Sequence, residues 1–318
     1  MKKNIPLAFV MVVCIFLSAC TNSIRNTGAK SEDTAENLMT TNSAQSSSTE
    51  SISVEFDSDD LDTGLGAEAV TIALEGDNIT FDGIGATVKD STITIISEGT
   101  YSISGTLNDG QVIVDTKDDK PVKLILNGAN ITCSNSSAIY VANAEKTVIT
   151  LAEGTENIIK DCASYVFPDT ETDEPNGAIF SHDDLTINGS GFLKVQGNFQ
   201  HGIVSKDELK IVSGSITVNS VADGIKGRDL VAVKDGSITV NSGADGIKSN
   251  NDVDTSKGVV FIENGTEITG GTLVAAGSSG MAQAPGTSST QYSILVNLES
   301  AQEAGTMLHM ESERGNTT

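Results

Sequence analysis

The stretch HGIVSKDELKIVSGSITVNS (201–220) continues as VADGIKGRDLVAVKDGSITVNS (221–242) and restarts as GADGIKSNNDVD (243–254). Gly202, Gly224 and Gly246 recur about every 22 residues, a period in the range of stacked structural repeats. Within each row, apolar residues alternate as pairs: Leu209/Ile211, Ile216/Val218, Val231/Val233 and Ile238/Val240. That alternation has the period of short strands whose side chains point by turns to two faces. Short strands, Gly-containing corners and a fixed repeat predict an all-β chain: a parallel β-helix, or solenoid, of about 22 residues per coil.

Composition agrees with a thin aliphatic column. Only 4% of the 318 residues are aromatic and none is Trp, whereas small branched side chains stack on copies of themselves. The net charge of −24 argues against nucleic acid, whose phosphates call for a basic face. An acidic surface stays soluble by self-repulsion or holds cations.

Residues 1–20 read as a leader: Lys2 and Lys3, then an apolar run from Leu7 to Leu17 too short to span a bilayer comfortably. It closes with Leu17-Ser18-Ala19-Cys20, which resembles the lipobox of bacterial lipoproteins. That resemblance implies cleavage before Cys20, lipidation of its thiol, and attachment to the outer face of the bacterial cell membrane; a monomer is expected. The alternative is an ordinary signal peptide followed by an incidental cysteine. Residues 21–54, rich in Ser, Thr, Asn and Ala, bury too little apolar surface to offset ordering entropy and form a flexible tether. The domain then occupies 55–318, with the acidic run EFDSDDLD (55–62) expected as a solvated helical cap.

Alternation starts near Val70, and Ala138-Ile139 and Ala178-Ile179 are earlier versions of the Gly-Ile corner. Asn219 and Asn241, with Asn198 close by, predict an asparagine ladder. The stretch from Lys160 to Asn176 interrupts the period as a long loop. Cys133 and Cys162 are out of register with a 22-residue coil, so no disulfide is expected between them.

Equivalent residues of adjacent rows stand about 4.8 Å apart. Asp223 therefore falls beside Asp245, and Asp207 beside Asp229 and Asn251. Carboxylates at that distance repel by about 1 kcal/mol in water, and by more where water is excluded. Ca²⁺ relieves the repulsion, because it accepts carboxylate, amide and backbone oxygens alike. Asn250, Asn251, Asp252 and Asp254 supply such oxygens where the columns end. The other reading keeps Asp-Gly as a turn dipeptide, with Lys206, Lys226, Arg228 and Lys248 as neutralising surface charges.

Several segments carry a family resemblance: AIYVANAEKTVITLAEGTENII (138–159), EPNGAIFSHDDLTINGSG (174–191), HGIVSKDELKI (201–211), ADGIKGRD (222–229), GADGIKSNNDVDTSKG (243–258) and GGTLVAAGSSGMAQAP (270–285). They resemble the bacterial, clostridial-type surface carbohydrate-binding proteins, whose fold is a right-handed parallel β-helix like that of pectate lyases. The resemblance implies calcium held by aspartates on one face and binding of plant cell-wall polysaccharide, including acidic galacturonan-type chains. His201 stands where the family usually has Asp, and several Asp-Gly-Ile coils of the family are missing between Ile262 and Gly270.

Three functions follow as expectations. The first is calcium-dependent, non-catalytic binding of a uronate-rich chain or cellulose, with Lys226, Arg228 and Lys248 as added contacts. The second is a polysaccharide lyase using Lys226 or Lys248 as base beside calcium. The third is a structural or adhesive surface solenoid that binds no sugar.

Overall fold

The computed structural model describes residues 54–66, 68–167, 171–254 and 257, and the strands Val12–Leu17, Val259–Ile262, Thr272–Ser278 and Ser293–Asn297. Cys20 and His309 lie outside the described residues.

Strands dominate, and the principal pairings are parallel within two sheets of sixteen and eight strands. The long sheet is curled on itself. Strand Val122–Thr132 pairs with Lys146–Leu151 through its first half and with Glu156–Lys160 through its second. The bend between the halves falls at Gly128, whose φ of +77° suits a residue without Cβ. Gly99–Leu107 bends likewise. The chain thus visits two faces of the long sheet and then the short sheet before starting again. One such pass is Glu208–Ile211, Ser215–Ser220 and Ile225–Gly227. The arrangement is β-helix-like.

Like residues stack on like. Tyr101, Leu124, Ile149, Ile187, Ile211 and Val233 pair in succession along one face. Ile131, Ile159, Val195, Val218 and Val240 do so along the next, and Val112, Ile139, Ile179, Ile203, Ile225 and Ile247 along the short sheet. Nearly all are fully buried, and each buried Leu, Ile or Val contributes about 1.5–3 kcal/mol.

Paired residues lie 22 apart in the last rows, as in Ile203–Ile225–Ile247, but 24 apart between Ile179 and Ile203 and 40 apart between Ile139 and Ile179. The loop after Lys160 accounts for the longest interval. Within it Tyr165 is buried, stacks on Phe199 at 4.2 Å between ring centroids, and donates its hydroxyl to Asp161 at 2.7 Å. Cys133 and Cys162 are both free thiols. The asparagine ladder is confined to Asn219 and Asn241, whose next neighbour in register is Gln196. Asn198 instead donates to Asp161.

The acidic run 55–62 departs from expectation. Ser58–Leu61 is a helical turn capped by Asp57, but Asp60 is fully buried rather than solvated. Lysines of the long sheet meet it. The apolar run Val12–Leu17 lies in parallel between Thr272–Ser278 and Ser293–Asn297. Its β-branched and aromatic residues suit a strand.

Candidate functional site

Side chains of a strand alternate between faces. Because the isoleucines of the short sheet point inward, their neighbours Tyr140, Phe180, Val204, Lys226 and Lys248, paired in that order, form one outward column. Its first two rows are aromatic and its last two cationic, but Phe180 and Val204 are buried, so only Tyr140, Lys226 and Lys248 are partly exposed.

The corner entering this sheet carries His201, Asp223 and Asp245. Asp245 N–H donates to Asp223 Oδ1 at 3.2 Å, and Asp223 N–H donates to His201 Nδ1 at 3.0 Å. The column is therefore a ladder of side-chain acceptors for the backbone of the following row. His201 is buried, which, with Lys226 and Lys248 nearby, lowers its pKa to about 4 against the opposing pull of Asp223. A neutral imidazole is what an acceptor requires. Lys226 Nζ lies 3.6 Å from Asp223 Oδ2, and Lys248 Nζ lies 3.0 Å from Asp245 and 3.9 Å from Asp223. Asp223 and Asp245 thus face the same way and share an ammonium.

The corner leaving the sheet carries Asp207, Asp229 and Asn251. The carboxyl groups of Asp207 and Asp229 are within hydrogen-bonding reach of each other. Burial, the Asp229 carboxylate and Asp184 push Asp207 up to about 6. Burial also works against ionisation of Asp229. Contacts with Lys257, Arg228, Asp207 and Asn251 outweigh it and hold that carboxyl far below the usual range. Arg228 Nε and Asn251 Nδ2 reach Asp229 Oδ1 at 2.9 and 2.6 Å, and Lys257 donates to Oδ2.

The final turn divides the remaining candidates. Asn251 Oδ1 accepts from the backbones of Val253 and Asp254 at 2.9 and 2.7 Å, so it shapes the turn. Asp252 is exposed and accepts from Asn250 Nδ2 at 3.3 Å; Asp254 is exposed as well. Asn250 Oδ1 is buried without a hydrogen-bond partner. Among the described residues no group of three or more His, Cys, Asp or Glu is disposed to hold a metal ion.

Several residues at this face escaped the sequence reading. Asp183 stands one row before Asp207 and receives Ala144 N–H at 2.9 Å. The repeated Ser181-His182-Asp183 and Ser205-Lys206-Asp207 was the available signal. Tyr140, Phe180 and His182 pack in tilted and edge-to-face geometry, with Tyr140 Oη 3.4 Å from His182 Nε2. Glu174, from the long loop, pairs with Lys206 and lies 3.8 Å from His182. No local pattern announces that cluster, because its rows are separated by the loop.

A solved structure described as that of the polysaccharide lyase-like protein from C. thermocellum, gadolinium derivative, is similar at a TM-score of 0.62 and 33% identity. It covers 73% of this chain and 98% of that one. A curated carbohydrate-binding domain-containing protein of Acetivibrio thermocellus is 41% identical over 150 residues, 47% of this chain and 52% of its own. The chain thus spans about half the length of that curated relative. Residues 89–315 match the family described as carbohydrate-binding domain-containing protein, and the chain belongs to that family.

Proposed function

We propose that the protein binds an acidic, uronate-containing polysaccharide across the outer face of the short sheet, without catalysis. The observation that carries this reading is the adjacent, partly exposed pair Lys226 and Lys248 at the end of the short sheet, between two acidic corners. The ammoniums of Lys226 and Lys248 suit uronate carboxylates, and the half-buried Tyr140 offers a ring edge to a sugar, whereas Phe180 and Val204 are buried and contribute no contact surface. The coils are read as a right-handed parallel β-helix; the spacing of its last rows supports a coil of about 22 residues.

Calcium belongs to the same proposal. Asp207 and Asp229 are carboxylates close enough to share a cation, Asn250 Oδ1 lacks a partner, and all donors are oxygens. Asp223 and Asp245, engaged by lysines, and Asp229, engaged by Arg228 and Lys257, would need those cations displaced to take part. Gadolinium, present in the derivative of the related structure, is a hard, oxygen-seeking cation as calcium is. A bound calcium ion supplies a positive centre that lets an acidic protein hold an acidic sugar. Export and lipidation at Cys20 complete the reading; cleavage before Cys20 would remove the strand Val12–Leu17 from between Thr272–Ser278 and Ser293–Asn297, and loss of lipid labelling in Cys20→Ala tests that part.

The lyase-like description of the related structure favours a second reading, β-elimination with a lysine base. The lysine environment opposes it. Burial pulls the Lys248 pKa down, but Asp245 and Asp223 overcome it and raise the pKa above the ordinary value. That lysine stays protonated near neutrality. Retention on polygalacturonate and cellulose, with and without EDTA, tests the whole proposal. Calcium-dependent retention on polygalacturonate, weakened in Lys226→Ala/Lys248→Ala, is expected. No retention on either polymer in any condition would leave a surface solenoid that binds no sugar.

A further inference from the structure

A second face of the protein also concentrates positive charge. On the outer side of the long sheet, Lys123, Lys146 and Lys210 are only 9%, 6% and 9% exposed. The register Lys123–Val148–Thr186–Lys210 sets the outer two lysines three rows apart, about 14 Å at ~4.8 Å per row. The acidic strap 57–62 lies on them.

The strap supplies acceptors. Asp60 meets Lys146 at 3.2 Å, Lys210 at 3.4 Å and the Thr186 hydroxyl at 2.6 Å. Asp57 pairs with Lys146, and Asp62 with Lys123 at 2.7 Å. Asn188 Nδ2 donates to the carbonyls of Asp60 and Asp62 at 2.9 and 3.0 Å. Yet Asn188 Oδ1 and Thr150 Oγ1, paired in register on this face, are buried without any partner. The strap brings no donor to Asn188 Oδ1. At the Asp62 end of the strap, a cavity of about 280 Å³ opens between Asp59, Asp62, Thr100, Lys120, Lys123 and Val148.

We propose that the strap is a built-in stand-in for a ligand, and that this groove binds a uronate-bearing saccharide when the strap is released. A uronate offers carboxylates to the lysines and hydroxyl donors to Asn188 Oδ1 and Thr150 Oγ1, which the strap leaves unsatisfied. The strap is held by ion pairs and by the Thr186 and Asn188 hydrogen bonds, with Leu61 46% exposed, so an anionic, hydroxyl-bearing competitor acts on the contacts that hold it. The inference rests on the polysaccharide reading but places a second site away from Lys226 and Lys248.

The test is calorimetric titration of the full chain with sodium oligogalacturonate in EDTA, which removes any calcium contribution. Asp57→Asn/Asp62→Asn, which loosens both ends of the strap, is expected to tighten binding several-fold. Adding Lys123→Gln/Lys210→Gln should abolish that gain, whereas adding Lys226→Ala/Lys248→Ala should leave it intact. Unchanged or weaker binding in the loosened variant, or a gain that survives loss of the lysines, makes the strap a structural clamp and overturns the proposal. Hydrogen exchange on the unmodified protein gives an independent readout. Amides 57–62 should lose protection when oligogalacturonate is added, and unchanged or increased protection would count against the proposal. Failure of the short-sheet site is distinguishable, since it appears as calcium-dependent retention indifferent to Lys226→Ala/Lys248→Ala.

Discussion

His201 Nδ1 accepts the backbone N–H of Asp223 at 3.0 Å, the service that Asp223 Oδ1 performs for Asp245 one row later at 3.2 Å. Histidine in a column of aspartates is therefore a change of acceptor atom, with the ladder preserved. It also makes the corner sensitive to protons.

His201→Ala strands a buried N–H and is expected to cost about 1–3 kcal/mol in urea unfolding at pH 7.5. The pH dependence follows from the lowered pKa of about 4. Between that value and the ordinary His value of about 6.5, the unfolded chain binds the extra proton. The His201 contribution is complete above about 6.5 and is lost as pH falls toward 4. His201→Asn should flatten that part of the stability profile. A slope unchanged by the substitution would show that other groups set it.

Asp207 acts in the opposite sense. Its folded pKa of about 6 exceeds the ordinary Asp value of about 3.9, so its contribution is present at low pH and lost as pH rises through 6. In EDTA at pH 8, Asp207→Asn should stabilise the protein by on the order of 1–2 kcal/mol. In excess calcium the order should invert, because an ion that binds only the folded state stabilises by mass action and the variant lacks one carboxylate. A variant that remains the more stable in both conditions would end the calcium proposal at this corner.

Gly224→Ala probes row packing directly. An added Cβ would stand 2.1 Å from Val240 Cγ1 and 2.6 Å from the Gly246 carbonyl oxygen. The expected loss is about 1–3 kcal/mol or more. Gly128→Ala meets nothing within 4 Å but must adopt a φ of +77°, which costs about 1–2 kcal/mol. Thermal melts of the two variants should separate crowding from backbone strain.

Lys248 should remain cationic well past neutrality, since Asp245 and Asp223 outweigh burial in setting its pKa. Retention on polygalacturonate in excess calcium, once Asp207 is ionised, is then flat between about pH 7.5 and 9. No unsaturated product should absorb in the ultraviolet over that range. Product that appears with wild type and vanishes in Lys248→Ala would instead identify a lyase.

Regular rows were legible because 22-residue copies advertise their own register: Ile203, Ile225 and Ile247 stack as their spacing required. Earlier rows were less so, since the loop that separates Ile139 from Ile179 erases the period while leaving the pairing intact. The proximity of Asp223 to Asp245, and of Asp207 to Asp229, followed from strand spacing alone. Which cation each meets did not.

The chain's pattern by itself determined an all-β stack of parallel rows, the columns in which Asp245 follows Asp223 and Asp229 follows Asp207, and a strand-forming alternation that needs no long-range information. Tertiary structure alone decided that Asp60 is buried against Lys146 and Lys210, residues 86 and 150 positions away. It also decided that Tyr140 meets His182 and that Lys248 lies on two aspartates at once. The physical reason is that periodicity encodes neighbours one row apart. Contacts made by a strap or an irregular loop depend on where the folded rows happen to present charge, and no local spacing carries that information.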